Sequence, residues 1–458
     1  MLFFTVKEKW KLSLLFFFSV LFLYFNSIIS ILIALLLTTV NFYILKKIER
    51  SKQKKLFYSI GIFVNLISLL LFNYLNSKDN FFTLHFEESS YHTSEFILWI
   101  GISFYSIQHI QILRDYRRGK IIQNLNFLEF FTSSLYFPKI IAGPIQSTEN
   151  LVTQFRNWRW NKSLFFSGVN RFVLGIFKKV VIADRLSLCV HSLFDFNDEK
   201  SGLLLLVSGF LFTIQLYFDF SGYCDMAIGT SRLFCISIDE NFNLPFRAIS
   251  VSEFWRKWHI TLMKFINENV YFPLAYRFRK LKKTGIVISL LITFLISGLW
   301  HGIGTGFLLW ASCHALYLIL EYFILPYFQN QRLQNSILFK LGCGVITFLL
   351  ISFSNVFFRS LDGKMAIKNL FSFFENSFFP NDWYSQFWAK IASGGMMNDY
   401  FNLSISLIFA TVFLFTEVRI QRISNDQKIR LSFLILFISL ILCFGVFDKG
   451  ERFIYMQF

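Results

Sequence analysis

The sequence contains few charged residues and lacks the motifs of a metal-stabilised or disulfide-stabilised domain. Only 16% of its 458 residues are charged, 55% are hydrophobic, and the mean hydropathy is +0.51. Its six cysteines form no Cys-x-x-Cys pair, so neither a disulfide framework nor a zinc site is indicated. A phosphate-binding glycine loop, a His-x-x-x-His pair and a Glu-x-x-His motif are also missing from the sequence. These absences argue against ATP-driven chemistry and a bound metal.

Long apolar runs make up most of the chain. Many reach about 18 residues or more, which is enough to cross the roughly 30 Å hydrocarbon core of a bilayer. They predict an all-α, polytopic transmembrane protein with about 11 or more spans. The first run has a basic flank but no small-residue cleavage site, which favours an anchor over a cleaved signal. The predicted spans are 11–26, 27–45, 56–75, 96–113, 164–182, 202–218, 284–300, 303–325, 338–357, 401–416 and 431–447.

The basic residues lie mainly in short loops between these spans. The formal net charge of +17 therefore reflects the cytoplasmic bias of Lys and Arg in membrane proteins and does not indicate nucleic acid binding. The loops 46–55, 114–120 and 277–283 are predicted to be cytoplasmic, and 78–95 and 359–400 to be outside. The N-terminus is then cytoplasmic and the C-terminus extracytoplasmic. The same charges would attract anionic membrane lipids.

The middle of the chain differs from its ends. Between 127 and 160, and between 219 and 283, apolar stretches are interrupted by Pro, Gly, Asp, Asn and Arg. Irregular backbone at membrane depth is tolerated only where protein or a wet cavity satisfies its polar groups. We therefore expect re-entrant or half-buried helices here, packed around a central funnel.

His301 ends an apolar segment and lies between Trp300 and Gly302. An ionisable side chain at membrane depth is energetically costly, so it indicates a functional site. Neutral imidazole can accept a proton from a hydroxyl near neutral pH. The structural alternative is a histidine that caps a helix end or bonds to a neighbouring span.

His259 follows a second pattern, because Ser250 and Glu253 fit a capping box and predict a helix start. On that helix Trp255 and His259 would share one face, with Arg256 pointing elsewhere. The alternative is an amphipathic interfacial helix with an aromatic and basic belt.

Two carboxylates and a serine fall within another apolar stretch, as Asp219, Ser221 and Asp225. The Gly-x-Ser-x-Gly context of a hydrolase nucleophile is missing around this serine. The aspartates are predicted to pair with arginines and brace the core; the candidate partners are Arg232, Arg247 and Arg256. His259, His301 and His314 could share a metal with these aspartates, but without ligand spacing we predict none.

Eight segments, in order over about 97–360, resemble motifs of the membrane-bound O-acyltransferase family. The likeness is to its bacterial branch, which includes alginate and peptidoglycan O-acetyltransferases and teichoic acid D-alanyltransferases. The segments are FPKIIAGPI (137–145), YFDFSGYCDMAIG (217–229), NFNLPF (241–246), EFWRKWHITL (253–262), YFPL (271–274), GLWHG (298–302), WASCH (310–314) and FFR (357–359).

The resemblance implies a ring of spans around a funnel, with peripheral helices at 1–95, a catalytic core at 96–360, and an outer loop with further helices at 361–458. It implies that His301 is the essential base and that His259 is a second important residue on a re-entrant helix. It also implies that the protein lies in a bacterial inner membrane. Residues expected to bind substrate or support the site are Trp300, Trp255, Arg256, Asp219, Ser221, Asp225, Asn243 and His314.

The predicted reaction moves an acyl group, expected to be acetyl, to a hydroxyl of a cell-envelope or exported polysaccharide. The donor would be an acyl-CoA or an acyl carrier protein, with no tightly bound cofactor and with a glycan or partner protein outside the cytoplasm. One alternative is D-alanyl transfer to a teichoic acid-type polymer, and another is a transporter or flippase of lipid-linked sugars.

Overall fold

The architecture is taken from a computed structural model in which every regular element is helical among the residues described. These residues are 2–25, 27–76, 101–119, 124–194, 201–324, 336–360, 363–375, 384–385, 387–388, 398–426, 431–447 and 453–454. The predicted outer loop 78–95 and about half of 359–400 lie outside them. The all-α prediction is confirmed.

Within the described residues, ten α-helices precede residue 234. They are α1 (Leu2–Thr5), α2 (Glu8–Tyr24), α3 (Ile28–Arg50), α4 (Lys54–Asn76), α5 (Ile102–Arg117), α6 (Phe127–Ser134), α7 (Thr148–Arg156), α8 (Lys162–Ile176), α9 (Asp184–Phe194) and α10 (Gly202–Leu233). A π-helical segment, Phe177–Ala183, joins α8 to α9.

Nine further α-helices follow in the described part of the chain. They are α11 (Val251–Lys257), α12 (Ile260–Ile266), α13 (Phe272–Arg277), α14 (Lys282–His301), α15 (Thr305–Ile324), α16 (Ile337–Arg359), α17 (Gly363–Glu375), α18 (Asn398–Ser424) and α19 (Leu431–Phe444). A second π-helical segment, Asn267–Tyr271, joins α12 to α13.

Seven of the described helices are long and apolar enough to cross a membrane: α3, α4, α10, α14 with the residues before it, α15, α16 and α18. The predicted polytopic membrane protein is therefore confirmed. Four other predicted spans fall on shorter helices of 17, 16, 15 and 14 residues, namely α2, α5, α8 and α19. The count of about 11 spans stays a prediction.

Helix starts follow the sequence closely. The side chains of Asn126, Ser147, Asn161, Ser201 and Ser250 each accept a hydrogen bond from a backbone N–H in the first turn of the helix that follows. Such caps satisfy amide groups that have no partner within the helix. The predicted helix start at Ser250 is confirmed.

Helix α10 is the centre of the fold. In its most apolar window 78% of the residues are buried, against 22–39% in the other six spans. It contacts α8, α9 and α16. Contrary to our expectation of a break after 218, α10 continues through Asp219 and Asp225 to Leu233. Because neighbouring helices cover it and pair its carboxylates, this polar stretch can stay helical inside the protein.

The contact between α8 and α10 depends on glycines. A Cβ on Gly175 would lie 2.6 Å from the carbonyl oxygen of Gly222, and one on Gly229 would lie 2.8 Å from that of Gly168. Small residues at such positions let two helix backbones approach closely. The seven-residue spacing within each helix repeats this close contact along the helix pair.

The predicted break in long helices occurs after residue 233. Three short helices, α11 to α13, follow it before the next long helix begins. Leu244 and His259 both adopt left-handed backbone conformations, with φ of 52° and 46°. Helix α11 ends at Lys257, before His259. The prediction that Trp255 and His259 share one helix face is therefore wrong, since the backbone turns between them.

Candidate active site

His301 is the last residue of α14 and lies inside a ring of aromatic side chains. Its imidazole centroid is 4.7 Å from that of Trp300, 5.2 Å from that of Trp310 and 5.0 Å from that of Phe358. It is 6% exposed. The side chain faces the protein interior and not the lipid, as the funnel prediction requires. The funnel itself stays a prediction.

Glycines explain how this aromatic ring closes around His301. A Cβ on Gly302 would lie 2.5 Å from the ring of Phe307, and one on Gly298 would lie 2.7 Å from the backbone oxygen of Phe307. Helices α14 and α15 therefore meet at van der Waals distance directly beside the histidine. Any larger side chain at either position would displace the aromatic wall.

Trp300 contacts both histidines. Its ring centroid is 6.4 Å from that of His259, in addition to the contact with His301. Its indole Nε1 is buried and has no hydrogen-bond acceptor among the residues that the structure describes. A buried N–H without an acceptor costs free energy, so it indicates a group available to a ligand. This donor lies beside the two imidazoles.

His259 is 1% exposed and packs against α10 through Phe220, with ring centroids 4.7 Å apart. Its left-handed backbone is fixed by residues on either side. Asn241 accepts hydrogen bonds through Oδ1 from the Thr261 hydroxyl at 2.7 Å, and its carbonyl accepts one from the Ile260 N–H at 3.0 Å. The Thr261 hydroxyl in turn accepts one from the N–H of Ile145.

Asn241, Thr261 and Phe220 were not among the predicted site residues. Asn243 was, yet its side chain is exposed, and its backbone N–H donates to the carbonyl of Lys257 at 3.0 Å. Both asparagines lie in the motif NFNLPF, so the motif located the right turn. The alternation of buried and exposed positions within the turn could not be read from one sequence.

His314 uses both ring nitrogens in hydrogen bonds. Nδ1 accepts from the indole N–H of Trp255 at 3.3 Å, and Nε2 lies 3.0 Å from the Ser354 hydroxyl. Because that hydroxyl also reaches the carbonyl of Ile351, the arrangement fits a neutral imidazole that donates from Nε2. His314 therefore supports the wall formed by Trp255 and Trp310 and has no nitrogen available for substrate.

The aspartates of α10 are paired, but not with the predicted arginines. Asp225 contacts Arg171 at 2.6 Å and Lys178 at 2.7 Å, and Asp219 contacts Lys179 at 2.7 Å. All three cations belong to α8 and the π-helical segment after it. The prediction of Arg232, Arg247 or Arg256 as partners is wrong, because the glycine contact brings α8 against α10.

The two remaining predicted residues, Ser221 and Arg256, form no hydrogen bond or ion pair with His301 or His259 among the residues described. The Ser221 hydroxyl is buried on α10 and has no hydrogen-bond partner within the described part of the chain. Arg256 is exposed and lines a separate cavity. Within the described ranges no group of three or more His, Cys, Asp or Glu residues is arranged to hold a metal ion.

Comparison with known proteins agrees with this architecture. Residues 18–361 match the membrane-bound O-acyltransferase family, MBOAT, so this chain belongs to that family. The match begins at residue 18, well before the first motif quoted from the sequence, at 137–145. The family assignment made from those motifs is confirmed.

Three relatives illustrate the branch. The chain is 33% identical to a peptidoglycan O-acetyltransferase of Helicobacter pylori, over 72% of this chain and 67% of that protein. It is 33% identical to a probable alginate O-acetylase AlgI of Pseudomonas aeruginosa, over 69% of this chain and 60% of that protein. A teichoic acid D-alanyltransferase of Bacillus subtilis is 26% identical over 48% of this chain and 58% of that protein.

Proposed function

We propose that this protein transfers an acetyl group from an activated donor to a hydroxyl of a cell-envelope or exported polysaccharide. The family is one of O-acyltransferases, and the relatives at 33% identity are named for acetyl transfer to peptidoglycan or alginate. The D-alanyl alternative has the weaker support, since that relative is 26% identical over about half of the chain.

The observation that carries the proposal is the contact of Trp300 with both His301 and His259. In the proposed reaction His301 accepts the proton of the acceptor hydroxyl, whose oxygen attacks the carbonyl of the donor thioester. The buried indole N–H of Trp300 would donate to the oxygen that gains negative charge. Collapse of this adduct expels the thiolate, which takes up the proton held by His301.

Access to His301 requires the aromatic wall to move, because the imidazole is only 6% exposed. Such closure also excludes water, which would otherwise hydrolyse the thioester. His259, held by the Asn241 turn, would position Trp300 against the donor carbonyl. Direct transfer of this kind requires no covalent intermediate on a serine or cysteine of this chain.

The orientation proposed from the basic loops suits this chemistry. Helix α14 begins at Lys282 beside the basic stretch and ends at His301, a rise of about 29 Å at 1.5 Å per residue. That length approaches the thickness of the hydrocarbon core. With the basic end cytoplasmic in a bacterial inner membrane, His301 lies toward the outer face, where a glycan acceptor or its carrier protein would approach.

The test is the acetyl content of the surface polysaccharide in cells that carry His301→Asn in place of the wild type. Loss of a general base lowers the rate by about 10² to 10⁴-fold. His109→Asn is the matched control, because His109 is also buried but bonds to Asn41 and Asn65, whereas His301 packs on Trp300. Equal protein levels in detergent extracts verify folding.

Three outcomes decide between the candidates. Loss of acetylation in the His301 variant alone supports the proposal. Wild-type acetylation in that variant means that His301 is not the base. Loss of the exported polysaccharide itself, with acetylation per sugar unchanged, would instead favour the transporter alternative.

A further inference from the structure

A cavity of about 620 Å³ lies between the short helices α11 to α13 and the spans α14 and α15. Its size is within the range of ordinary ligand sites. Its apolar lining comes from both sets of helices and includes Ile260, Met263, Phe272, Leu290, Phe294 and Leu318. Leu290 and Phe294 belong to a candidate membrane span, so the cavity reaches bilayer depth.

The cavity also carries two cations, Arg256 and Lys264. Neither has a carboxylate within 4 Å among the residues described. Glu253, the acid nearest to Arg256 in sequence, is paired with Lys257 at 2.7 Å and accepts from the backbone of Ile249. The cavity's own acid, Glu268, pairs with Arg114 at 2.7 Å. Arg256 and Lys264 are therefore cavity cations with no ion pair of their own among the residues described, and Glu253 acts on Arg256 only at longer range.

The catalytic histidines do not line this cavity. Trp255 and Phe294 close it on that side, with ring centroids 5.6 Å apart and the indole N–H of Trp255 bonded to His314. An occupant would touch the back of this wall without reaching His301. A thioester placed here would have its carbonyl on the wrong side of Trp255, which argues against an acyl donor.

The cavity is adjacent to the lipid-facing surface. Leu291 and Leu295 neighbour its lining residues on α14 and are 38% and 36% exposed, and Phe272 is 58% exposed. An amphipathic molecule could therefore enter sideways from the bilayer. Positive charge above apolar walls at this depth matches an anionic headgroup with its acyl chains.

We propose that this cavity binds an anionic membrane phospholipid, with its phosphate on Arg256 and Lys264 and its chains along α14 and α15. Each cation near a headgroup phosphate contributes about a fivefold gain in affinity. The bound lipid fills the space between the irregular α11–α13 segment and the spans. It thereby supports Trp255, and through it His314, from the side opposite to the reaction.

The experiment measures phosphatidylglycerol bound to the purified full-length protein by native mass spectrometry, after reconstitution with known amounts of this lipid in phosphatidylcholine. Arg256→Gln with Lys264→Gln is expected to weaken binding about 30-fold. Arg277→Gln with Lys280→Gln is the matched control, because it removes the same charge from the neighbouring basic stretch outside the lining. Leu318→Trp fills the cavity while keeping both cations and should also abolish binding.

The experiment measures lipid binding and not acyl transfer, so its result is independent of the proposed function. Loss of binding in the cavity variants with retention in the control supports the proposal. Equal binding in all proteins, or an equal loss in the control, overturns it. Displacement of the lipid by coenzyme A, which carries phosphates but no membrane chain, would reassign the cations to a donor phosphate and also overturn it. If the double variant fails to fold, Leu318→Trp decides alone.

Discussion

The indole N–H of Trp255 donates a hydrogen bond to Nδ1 of His314 at 3.3 Å. This bond joins α11, a short helix of the irregular segment, to the span α15. The Ser354 hydroxyl on α16 lies 3.0 Å from the other ring nitrogen. One imidazole therefore holds three helices together behind the aromatic wall of His301.

We predict that Trp255→Phe destabilises the protein by about 1 to 3 kcal/mol and lowers acyl transfer. The ring is retained, but the buried Nδ1 of His314 loses its donor, and leaving a buried polar group unpaired has this cost. Thermal unfolding in detergent and the acetyl content of the glycan measure the two effects. Trp160→Phe is the control, because Trp160 is 44% exposed. Equal effects in the two variants would contradict the role of the Trp255–His314 bond.

The glycine contact between α8 and α10 predicts that two glycine-to-alanine substitutions differ in their effect on stability. Gly175→Ala places a methyl group 2.6 Å from a backbone oxygen, so the helices must separate, at a cost of about 1 to 3 kcal/mol or more. Gly342→Ala on α16 meets no atom within 4 Å and should be neutral or slightly stabilising, since alanine favours a helix. Unfolding midpoints of the two variants test this. Similar midpoints would show that the close contact is not required.

We predict that removing a buried ion-pair partner between α8 and α10 lowers stability far more than removing one at the surface. Asp225→Asn leaves Lys178 buried without this carboxylate, while Arg171 keeps its pair with Glu240 at 2.6 Å, and the loss costs about 3 to 5 kcal/mol. Lys257→Gln breaks the more exposed pair with Glu253 and should cost less than about 1 kcal/mol. Denaturant or thermal unfolding compares them. A small effect of Asp225→Asn would mean that solvent reaches this part of α10.

The ion pair between Glu129 on α6 and Arg156 on α7 lies outside the seven candidate spans. We predict that it makes the stability of the protein depend on pH. Burial favours the neutral form of this carboxyl group, but hydrogen bonds from Arg156 and from the backbone of Asn126 outweigh burial and hold the pKa of Glu129 below its usual value. A carboxyl group whose pKa is lower in the folded protein stabilises the fold above its unfolded pKa. That contribution is lost as the pH falls through the folded pKa.

Glu129→Gln should therefore lower stability by about 1 to 2 kcal/mol at pH 7, after allowance for the partial exposure of Arg156. The difference from wild type should shrink as the pH is lowered below about 4, because the wild-type carboxyl group is then protonated as well. Unfolding curves across this pH range provide the measurement. A difference that is constant with pH would rule out the ionised carboxylate as its source.

Local patterns in the sequence predicted much of the fold and part of the site. Apolar length located the spans, and the capping residues located helix starts such as that after Ser250. His301 was found because a histidine among glycines at the end of an apolar run is unusual. This signal is local and requires no knowledge of the residues that pack against it. Its contact with Trp300 was implied by adjacency along the chain.

The partners of charged and aromatic groups could not be predicted this way. Asp225 pairs with Arg171 and Lys178 because Gly168 and Gly175 let α8 approach α10, a long-range event that no local period encodes. The turn at His259 depends on Asn241, which lies about 20 residues earlier. Residue spacing alone predicted that the helix would continue through His259, but this turn ends it. The glycine spacing was a usable signal for the α8–α10 contact, although it does not name the partner helix.

The sequence by itself therefore determined that this is an all-helical membrane protein of the O-acyltransferase family with His301 at a span end, since hydropathy, capping and motifs act over short distances. Only the tertiary structure decided that Trp300 contacts both histidines, that His314 is fully bonded, and that the aspartates face α8. Those arrangements result from helices separated in the chain packing side by side, and their energies depend on which surfaces meet.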